Sequence, residues 1–236
     1  MLRRIKVCLN GGRTGAGVPV TPEELAESAV ASVAAGAEAV HMHPRGPDGR
    51  ESLAAADIGA AVTAVRAAGV PIGVSTGLWI TGSVRERLRL VRGWADLSDR
   101  PDFASVNVGE DGYPELCAAL RGLGIAVEAG VWSPAEADRA GDVDRVLVEI
   151  IGGTAAEAIP AADAILARLD GTVPILLHGE EDACWPLVAH AGRLGLPTRI
   201  GLEDTLRDAG GGPARNNAGL VREALRIWSD AAGQRR

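Results

Sequence analysis

The chain has 236 residues, of which 47% are hydrophobic and 23% are charged. These proportions are typical of a globular protein and exclude general disorder. The 24 basic and 31 acidic residues give a net charge of −7, which argues against a nucleic-acid-binding protein. The three cysteines are widely scattered and suggest no disulfide framework. No apolar run is long enough to span a membrane, and the amino terminus turns polar too soon for a signal peptide. We therefore expect a cytoplasmic protein that binds neither nucleic acid nor membranes.

Eight short apolar or β-branched segments alternate with eight longer segments of helical periodicity. The predicted strands cover residues 5–10, 38–43, 71–76, 103–108, 125–130, 145–150, 174–179 and 198–203. The predicted helices cover residues 22–35, 54–68, 83–95, 114–122, 134–140, 155–169, 182–194 and 215–231. Such alternation is typical of parallel βαβ units. Eight units in a chain of this length predict a single (β/α)8 TIM barrel domain over residues 1–236.

Polar and ionisable residues cluster at the carboxyl ends of the predicted strands, where barrels of this kind carry their chemistry. In chain order these residues are Asn10, His41, His43, Ser75, Thr76, Asn107, Glu128, Glu149, His178, Glu203 and Asp204. The strand starts carry few such residues, and Lys6, Glu38 and Arg145 are expected outside the barrel or at its rim. This one-sided polarity predicts an enzyme. Asn10, Thr76, Glu128 and His178 are among the expected substrate contacts.

His41 and His43 form the sharpest local pattern. Residues i and i+2 of a strand point to the same face, so both imidazoles should project inward. Paired histidines suit a divalent metal, with zinc favoured, although two histidines can also serve a catalytic pocket without metal. In a closed barrel, strand 8 lies beside strand 1 and strand 1 beside strand 2. Glu203 can then supply a third ligand, with His178 as a competing ligand or a substrate contact.

Arg199 and Glu203 should share one face of strand 8, with Gly201 leaving space between them. Arg199 is therefore expected to be a buried guanidinium paired with a carboxylate, either in the site or as a structural ion pair. Lys6 is the only lysine of the chain and is not expected in a site. Because no lysine can form a Schiff base, carbon–carbon bond chemistry would need a metal or another electron sink.

Two further groups of residues leave their roles open. Glu128 and Glu149, at the ends of adjacent predicted strands, could form a second metal site or an acid/base pair, or be solvated rim acids. The segment containing Asp208, residues 210–212 and Arg215 could form a phosphate-accepting loop at a helix amino terminus. A plain flexible loop fits that segment equally well.

Four segments together resemble one known family. They are TPEELAESAVASVAAGAEAVHMHPRGPDGR (21–50), STG (75–77), SVNVG (105–109), and RIGLEDTL followed by ARNNAGLV (199–221). On these the chain resembles the β-keto acid cleavage enzymes, the family of 3-keto-5-aminohexanoate cleavage enzyme, over nearly the whole barrel. The resemblance implies a zinc-dependent (β/α)8 barrel that condenses acetyl-CoA with a β-keto acid. The products are acetoacetate or its analogue and a new CoA thioester.

The resemblance also implies roles for individual residues. His41, His43 and Glu203 match the ligands of one zinc ion per chain. Asp204 matches the acid/base residue and Arg199 its arginine partner. The remaining matches are Ser75, a serine that assists them, and Ser105 and Asn107, which fall in the segment that contacts the β-keto acid.

The chain departs from the family pattern in its first loop, NGGRTGAG (10–17), and in its short length. Arg13 stands near a position that is often acidic or otherwise polar and selects the substrate. We expect Arg13 to shift substrate choice toward an acidic or polar tail. Two alternatives stay open: a metal-dependent aldolase or lyase that uses no CoA, and a non-catalytic metal- or metabolite-binding barrel. A homo-oligomer is also expected.

Overall fold

The computed structural model describes residues 2–15 and 17–234; residues 1, 16, 235 and 236 of the predicted domain lie outside the described part. Its eight strands form one parallel sheet in the order β7-β6-β5-β4-β3-β2-β1-β8. They are β1 Ile5–Cys8, β2 Ala39–Met42, β3 Ile72–Ser75, β4 Phe103–Asn107, β5 Ala126–Val131, β6 Arg145–Ile150, β7 Ile175–Gly179 and β8 Thr198–Ile200. The two end strands of this order, β7 and β8, approach each other where the Leu177 amide donates to the Pro197 carbonyl at 3.0 Å. The predicted (β/α)8 barrel is therefore confirmed.

Eight α-helices of the described residues surround the barrel. They are α1 Pro22–Ala34, α2 Ala55–Val65, α3 Val84–Arg92, α4 Tyr113–Gly122, α5 Pro134–Ala137, α6 Ala155–Leu166, α7 Cys184–Leu194 and α8 Asn217–Gly233. Side-chain caps define several starts: Thr21 begins α1 with a reciprocal capping box to Glu24, and Ser83 caps α3. Within the described ranges, no helix has the length and apolar character needed to cross a membrane.

Five strands (β1, β2, β3, β4 and β8) end one to three residues before their predicted limits, and at β1, β2 and β8 this places site residues in the loops just above the barrel. β1 ends at Cys8, and β2 ends at Met42, one residue before His43. β8 ends at Ile200 because the chain turns at once, with the Asp204 amide donating to the Gly201 carbonyl at 2.9 Å. Glu203 therefore lies in a turn rather than on a strand.

A buried ion cluster closes the end of the barrel where the strands begin. The Lys6 ammonium and the Arg145 Nε donate to the two oxygens of the Glu128 carboxylate. The Phe103 ring centroid lies 5.5 Å from Lys6 Nζ and 5.1 Å from the Arg145 guanidinium carbon. The predictions that Lys6 lies outside or at the rim and that Glu128 contacts substrate are both wrong. Lys6 is wholly buried because its side chain projects into the barrel toward Glu128; we call Lys6, Glu128 and Arg145 the lower ion cluster.

Candidate active site

A cavity of about 320 Å³ opens at the carboxyl end of the barrel. This volume is at the small end of the range for small-molecule sites. The lining residues come from the strand ends and the loops just after them, namely Gly11, Gly12, Arg13, His41, His43, Ser75, Trp79, Ser105, Asn107, Trp132, Glu149, Ile151, Glu180, Arg199 and Glu203. The cavity thus lies where this fold places its chemistry.

Three of these residues form a cluster that can hold a metal ion. His41 Nε2 and His43 Nε2 are 3.1 Å apart, and Glu203 Oε1 lies 3.5 Å from His43 Nε2 and 3.8 Å from His41 Nε2. Ligands about 2 Å from a tetrahedral zinc ion are roughly 3.3 Å from one another. Glu203 Oε2 is buried with no hydrogen-bond partner among the described residues. Donor type, spacing and this unpartnered oxygen all fit a divalent ion, and we call the three residues the metal triad.

Two glycines bring the parts of this triad together. Gly11 has a φ of +54°, and a Cβ there would lie 2.5 Å from Cγ of Glu203. At Gly201 a Cβ would lie 1.7 Å from the Cys8 carbonyl oxygen. Gly201 is therefore needed for the close approach of β1, and not to leave space between Arg199 and Glu203 as expected.

Asn10 holds the loop that carries His43. Its Nδ2 donates to the His43 carbonyl and its Oδ1 accepts from the His43 amide, both at 2.9 Å. Asn10 is wholly buried and does not line the cavity. The prediction that it contacts substrate is wrong, because both of its polar atoms already bind backbone.

Arg199 forms the floor of the cavity and is paired, as expected, with carboxylates. Its Nε and Nη2 donate to Asp204 Oδ1 at 3.0 and 2.7 Å, and Nη2 also donates to Glu203 Oε1 at 2.8 Å. Asp204 lies behind Arg199, is wholly buried and does not line the cavity. Its Oδ2 has no hydrogen-bond partner within the described chain.

His178 and Glu149 form a second buried pair next to Asp204. His178 Nε2 lies 2.8 Å from Glu149 Oε2, and its Nδ1 lies 3.6 Å from Asp204 Oδ1. His178 is outside both the cavity and the metal triad, so neither expected role for it fits. Glu149 lines the cavity. Glu128 does not lie beside Glu149, because Glu128 is in register with Arg145, which is four residues earlier on β6. The two carboxylates therefore do not form a second metal site or an acid/base pair.

The polar groups of β3 and β4 divide between cavity and core. Ser75, Ser105 and Asn107 line the cavity, as expected of substrate-facing residues. Thr76 is wholly buried, and its Oγ1 donates to the Ser105 carbonyl at 2.6 Å. The prediction that Thr76 contacts substrate is wrong, because its side chain points between the strands.

The two loops singled out in the sequence lie differently. Arg13 is at the cavity mouth, where its Nε donates to the Glu203 carbonyl at 2.9 Å and its guanidinium pairs with Glu181. The 208–212 loop does not line the cavity. Its Asp208 carboxylate accepts the Gly212 amide at 2.8 Å, so the loop supplies its own anion and the phosphate-binding alternative finds no support.

Burial and neighbouring charges separate the pKa values of the metal triad. Burial lowers the pKa of His41 to about 3, which keeps this imidazole neutral as a ligand must be. Burial acts in the same direction on His43, but the Glu203 and Glu51 carboxylates raise its pKa to about 9. Burial alone would raise the pKa of Glu203, yet Arg199 and the two histidines hold it well below its usual range.

Two other carboxyl groups are shifted the opposite way. Burial raises the pKa of Glu180 to about 7, with Arg199 opposing the shift only in part. Burial also raises the pKa of Asp204, despite the opposing charges of Arg199 and His178. Both groups bind a proton more readily than an ordinary carboxylate does.

Four polar or aromatic residues that line the cavity or contact the metal triad were not identified from the sequence: Glu51, Trp79, Trp132 and Glu180. Glu180 directly follows β7, and applying the strand-end rule one residue further would have included it. The other three lie in loops or just beyond a strand, and no pattern distinguishes them from other polar or aromatic residues. Glu51 contacts His43, and the Trp132 Nε1 donates to Glu149 Oε1 at 3.1 Å.

Solved structures with the same fold were found over almost the whole chain. A ternary complex of ObcA with a C4-CoA adduct and oxalate is 18% identical with a TM-score of 0.63, covering 93% of this chain and 63% of that one. Type I 3-dehydroquinate dehydratase from Clostridium difficile is 11% identical with a TM-score of 0.68, covering 98% and 93%. Rubisco from Pyrococcus horikoshii OT3 is 16% identical with a TM-score of 0.62, covering 99% and 60%. At these identities the likeness shows the barrel fold alone, and this chain spans less than two thirds of the ObcA chain.

The sequence itself matches one family model over nearly its full length. That model is described as beta-keto acid cleavage enzyme, and the match extends over residues 4–234. The matched region contains every residue of the metal triad and the Arg199–Asp204 pair. The chain therefore belongs to the beta-keto acid cleavage enzyme family.

Proposed function

We propose that this chain is a zinc-dependent β-keto acid cleavage enzyme that uses acetyl-CoA as co-substrate. In the proposed reaction, the carboxymethyl group of the β-keto acid moves to the acetyl group of acetyl-CoA, giving acetoacetate. The remaining acyl group of the β-keto acid moves to the CoA sulfur, giving a new thioester. No atom is lost or added, so the exchange needs no further reactant.

The observation that carries this proposal is the convergence of His41, His43 and Glu203 at the wall of the cavity. Two histidines and one carboxylate leave coordination positions open, as catalytic zinc sites do. A β-keto acid offers a keto oxygen and a carboxylate oxygen that can occupy them. Zinc, when bound there, would supply Lewis-acid polarisation of the keto group. Among the described residues no lysine lines the cavity to do this work through an imine.

Arg199 and Ser75 are assigned to orienting the reacting oxygens. Both line the cavity, Ser75 on β3 beside the strand that leads to the two histidines and Arg199 on β8 four residues before Glu203. Arg199 is held by Asp204 and Glu203, so its guanidinium keeps a fixed direction. Fixed donors of this kind stabilise negative charge that develops on an oxygen in the transition state.

Asp204 is assigned as the group that takes the proton from the carbon acid. Its Oδ1 is engaged by Arg199, whereas Oδ2 is buried and free to accept a hydrogen. Since Asp204 does not line the cavity, the proton must pass beside Arg199 for the assignment to hold. Glu180, which does line the cavity, is the rival for the role, and the two can be compared directly by substitution.

The cavity mouth provides the features that the two substrates would need. Ser105 and Asn107 line the cavity on the wall formed by β4 and are assigned to contacting the β-keto acid. Trp79, Trp132 and Ile151 are 54%, 44% and 46% exposed, an apolar rim suited to the arm of a CoA thioester. The CoA adduct in the ObcA complex supports this assignment by likeness. Arg13, at the same mouth, is assigned to selecting the substrate tail.

The test is incubation with carbonyl-labelled acetyl-CoA and a panel of β-keto acids, read by mass spectrometry. We expect label in the acetoacetate and the unlabelled acyl group on CoA. If β-keto acids are cleaved without CoA, the chain is a metal-dependent lyase. Metal retention without turnover of any panel member would instead support a binding protein.

A further inference from the structure

The loop after β2 folds back on itself and returns to the metal triad. The Gly46 amide donates to the Arg50 carbonyl at 2.8 Å, and the Ser52 amide donates to the Pro44 carbonyl at 2.9 Å. Gly49, with a φ of +78°, makes the reversal. This small hairpin, residues 44–52, uses the PDG segment of the sequence as its turn. Its effect is to bring Glu51 back beside His43.

Both oxygens of Glu51 are occupied by defined donors. Its Oε1 contacts His43 Nδ1, and its Oε2 accepts from the Trp79 indole Nε1 at 3.0 Å. The Trp79 ring also lies nearly parallel to the His43 imidazole, with 6.4 Å between centroids and 24° between planes. The Glu51 side chain is only 13% exposed. A charged group buried to this extent needs such partners, and here one of them is a ligand of the metal triad.

The contact with Glu51 determines which nitrogen of His43 points toward the other two residues of the metal triad. An ionised carboxylate can only accept, so Nδ1 must carry the hydrogen that Glu51 receives. Nε2 is the nitrogen that lies 3.1 Å from His41 Nε2. His41 has no equivalent support, since its Nδ1 is buried without a partner in the part of the chain that the structure describes.

We propose that Glu51 is a positioning residue that, together with Trp79, fixes His43 in the tautomer and ring orientation needed to bind a divalent metal through Nε2. The inference rests on the metal site of the proposed function, but not on its reaction. Carboxylates that accept from a metal-ligating histidine raise the basicity of the ligand and hold its ring. Their loss typically weakens metal affinity by about 10- to 100-fold.

The hydrogen bond from Trp79 allows the positioning role of Glu51 to be tested separately from a simple packing role. In Glu51→Gln, an amide oxygen turned to His43 would place the amide NH2 against the Trp79 N–H, two donors facing each other. The reverse orientation would place the NH2 against His43 Nδ1 and favour the tautomer with hydrogen on Nε2, which cannot bind metal. Trp79→Phe removes the competing donor, so in the double variant the introduced amide can turn its oxygen to His43.

The experiment measures zinc affinity by competition with a chelator in the wild type, Glu51→Gln, Trp79→Phe and the Glu51→Gln/Trp79→Phe double variant. We expect Glu51→Gln to bind zinc about 10- to 100-fold more weakly and the double variant to recover most of that loss. Asp48→Asn is the matched control, because Asp48 is an acid of the same hairpin that contacts Arg50 and not the metal triad. Nitrogen-15 NMR of the zinc-loaded proteins should show a hydrogen bond from the Nδ1 proton of His43 that is weakened in Glu51→Gln and recovered in the double variant.

Wild-type zinc affinity in Glu51→Gln overturns the inference, as does a double variant that binds no better than Glu51→Gln. A wild-type chain that binds no divalent metal overturns it together with the proposed function. If the wild type binds zinc and the variants behave as expected, but no β-keto acid is turned over, the inference stands and the proposed reaction falls.

Discussion

The two ends of the barrel both bury charged side chains, but they satisfy them differently. At the lower end, both oxygens of Glu128 receive a donor, one from Lys6 and one from Arg145. At the upper end, Glu203 Oε2 and Asp204 Oδ2 have no partner among the described residues, although both atoms are buried. A buried acceptor without a hydrogen-bond partner lowers the stability of the folded state, because its hydrogen bonds to water are lost and not replaced. The lower ion cluster is therefore satisfied within the chain, whereas the upper end keeps two buried oxygens without a partner among the described residues, as the proposed metal binding and proton transfer require.

A cavity by itself does not separate the two ends. The lower end also has one, of about 270 Å³, lined in part by Phe103, Glu128 and Arg145. Its charged side chains all have hydrogen-bond partners, whereas in the upper cavity Glu203 Oε2 has none among the described residues. Completeness of hydrogen bonding thus identifies the functional end better than cavity size does.

The largest expected effect is the loss of metal and turnover in His43→Ala. Removing one imidazole leaves two ligands, too few for a catalytic zinc site. Elemental analysis of the purified protein should find the metal in the wild type and little in the variant. His190→Ala is the matched control, because His190 pairs with Asp163 in the helical layer, away from the cavity. Equal metal content in His43→Ala and wild type would contradict the assignment of the site.

Asp204→Asn should keep the metal and lose turnover by about 10²- to 10⁴-fold, the usual range for a general acid–base residue. The asparagine can still accept from Arg199, so the guanidinium should stay in place. Steady-state cleavage of the best β-keto acid, measured beside metal content, checks this. A larger loss in Glu180→Gln than in Asp204→Asn would transfer the proton-carrying role to Glu180.

The sequence was most informative where a residue's role follows from its position on a strand. The alternation of segments was enough to predict the barrel, and the i, i+2 spacing of His41 and His43 was enough to predict that they face one another. Glu203 was reachable because closure of a barrel makes strand 8 a neighbour of strand 1. These inferences depend only on the period of a strand and on the order of the sheet.

The sequence was least informative where the role of a polar residue depends on how deep in the barrel its side chain lies. Asn10, Thr76 and His178 are all polar and near strand ends, yet their side chains form hydrogen bonds with backbone atoms or with a buried carboxylate. Lys6 and Glu128 pair across the barrel although 122 positions separate them in the chain. No local pattern reports such a pair, because each partner appears as an isolated charge.

The lower ion cluster should affect stability and not catalysis. Glu128→Gln removes the charge that two buried or half-buried cations share, and breaking a buried pair in this way typically costs about 3–5 kcal/mol. Urea denaturation should show this loss, while metal content stays at the wild-type level. Glu86→Gln provides the control, since its pair with Arg89 is exposed and surface ion pairs contribute little to stability. Loss of metal in a folded Glu128→Gln protein would contradict the separation of the two ends.

The smallest effect, and the most specific to pH, is expected for Glu180→Gln. Burial raises the pKa of the Glu180 carboxyl from 4.5 to about 7, so ionising it costs more in the folded than in the unfolded chain. The cost is absent below pH 4.5, grows between pH 4.5 and 7, and is complete above pH 7, because the unfolded state ionises first. Glutamine removes the cost and should stabilise the metal-free protein by about 1–3 kcal/mol at pH 8, a range reduced for partial exposure, and by almost nothing near pH 4.5.

Metal-free protein is used because a dication in the triad would itself lower this pKa. Asp182→Asn, which changes an exposed acid of the same segment, is the matched control. If urea denaturation gives the same difference between Glu180→Gln and wild type at both pH values, the cavity does not hold Glu180 in a proton-binding state. The upper end would then be as completely satisfied at that position as the lower end is.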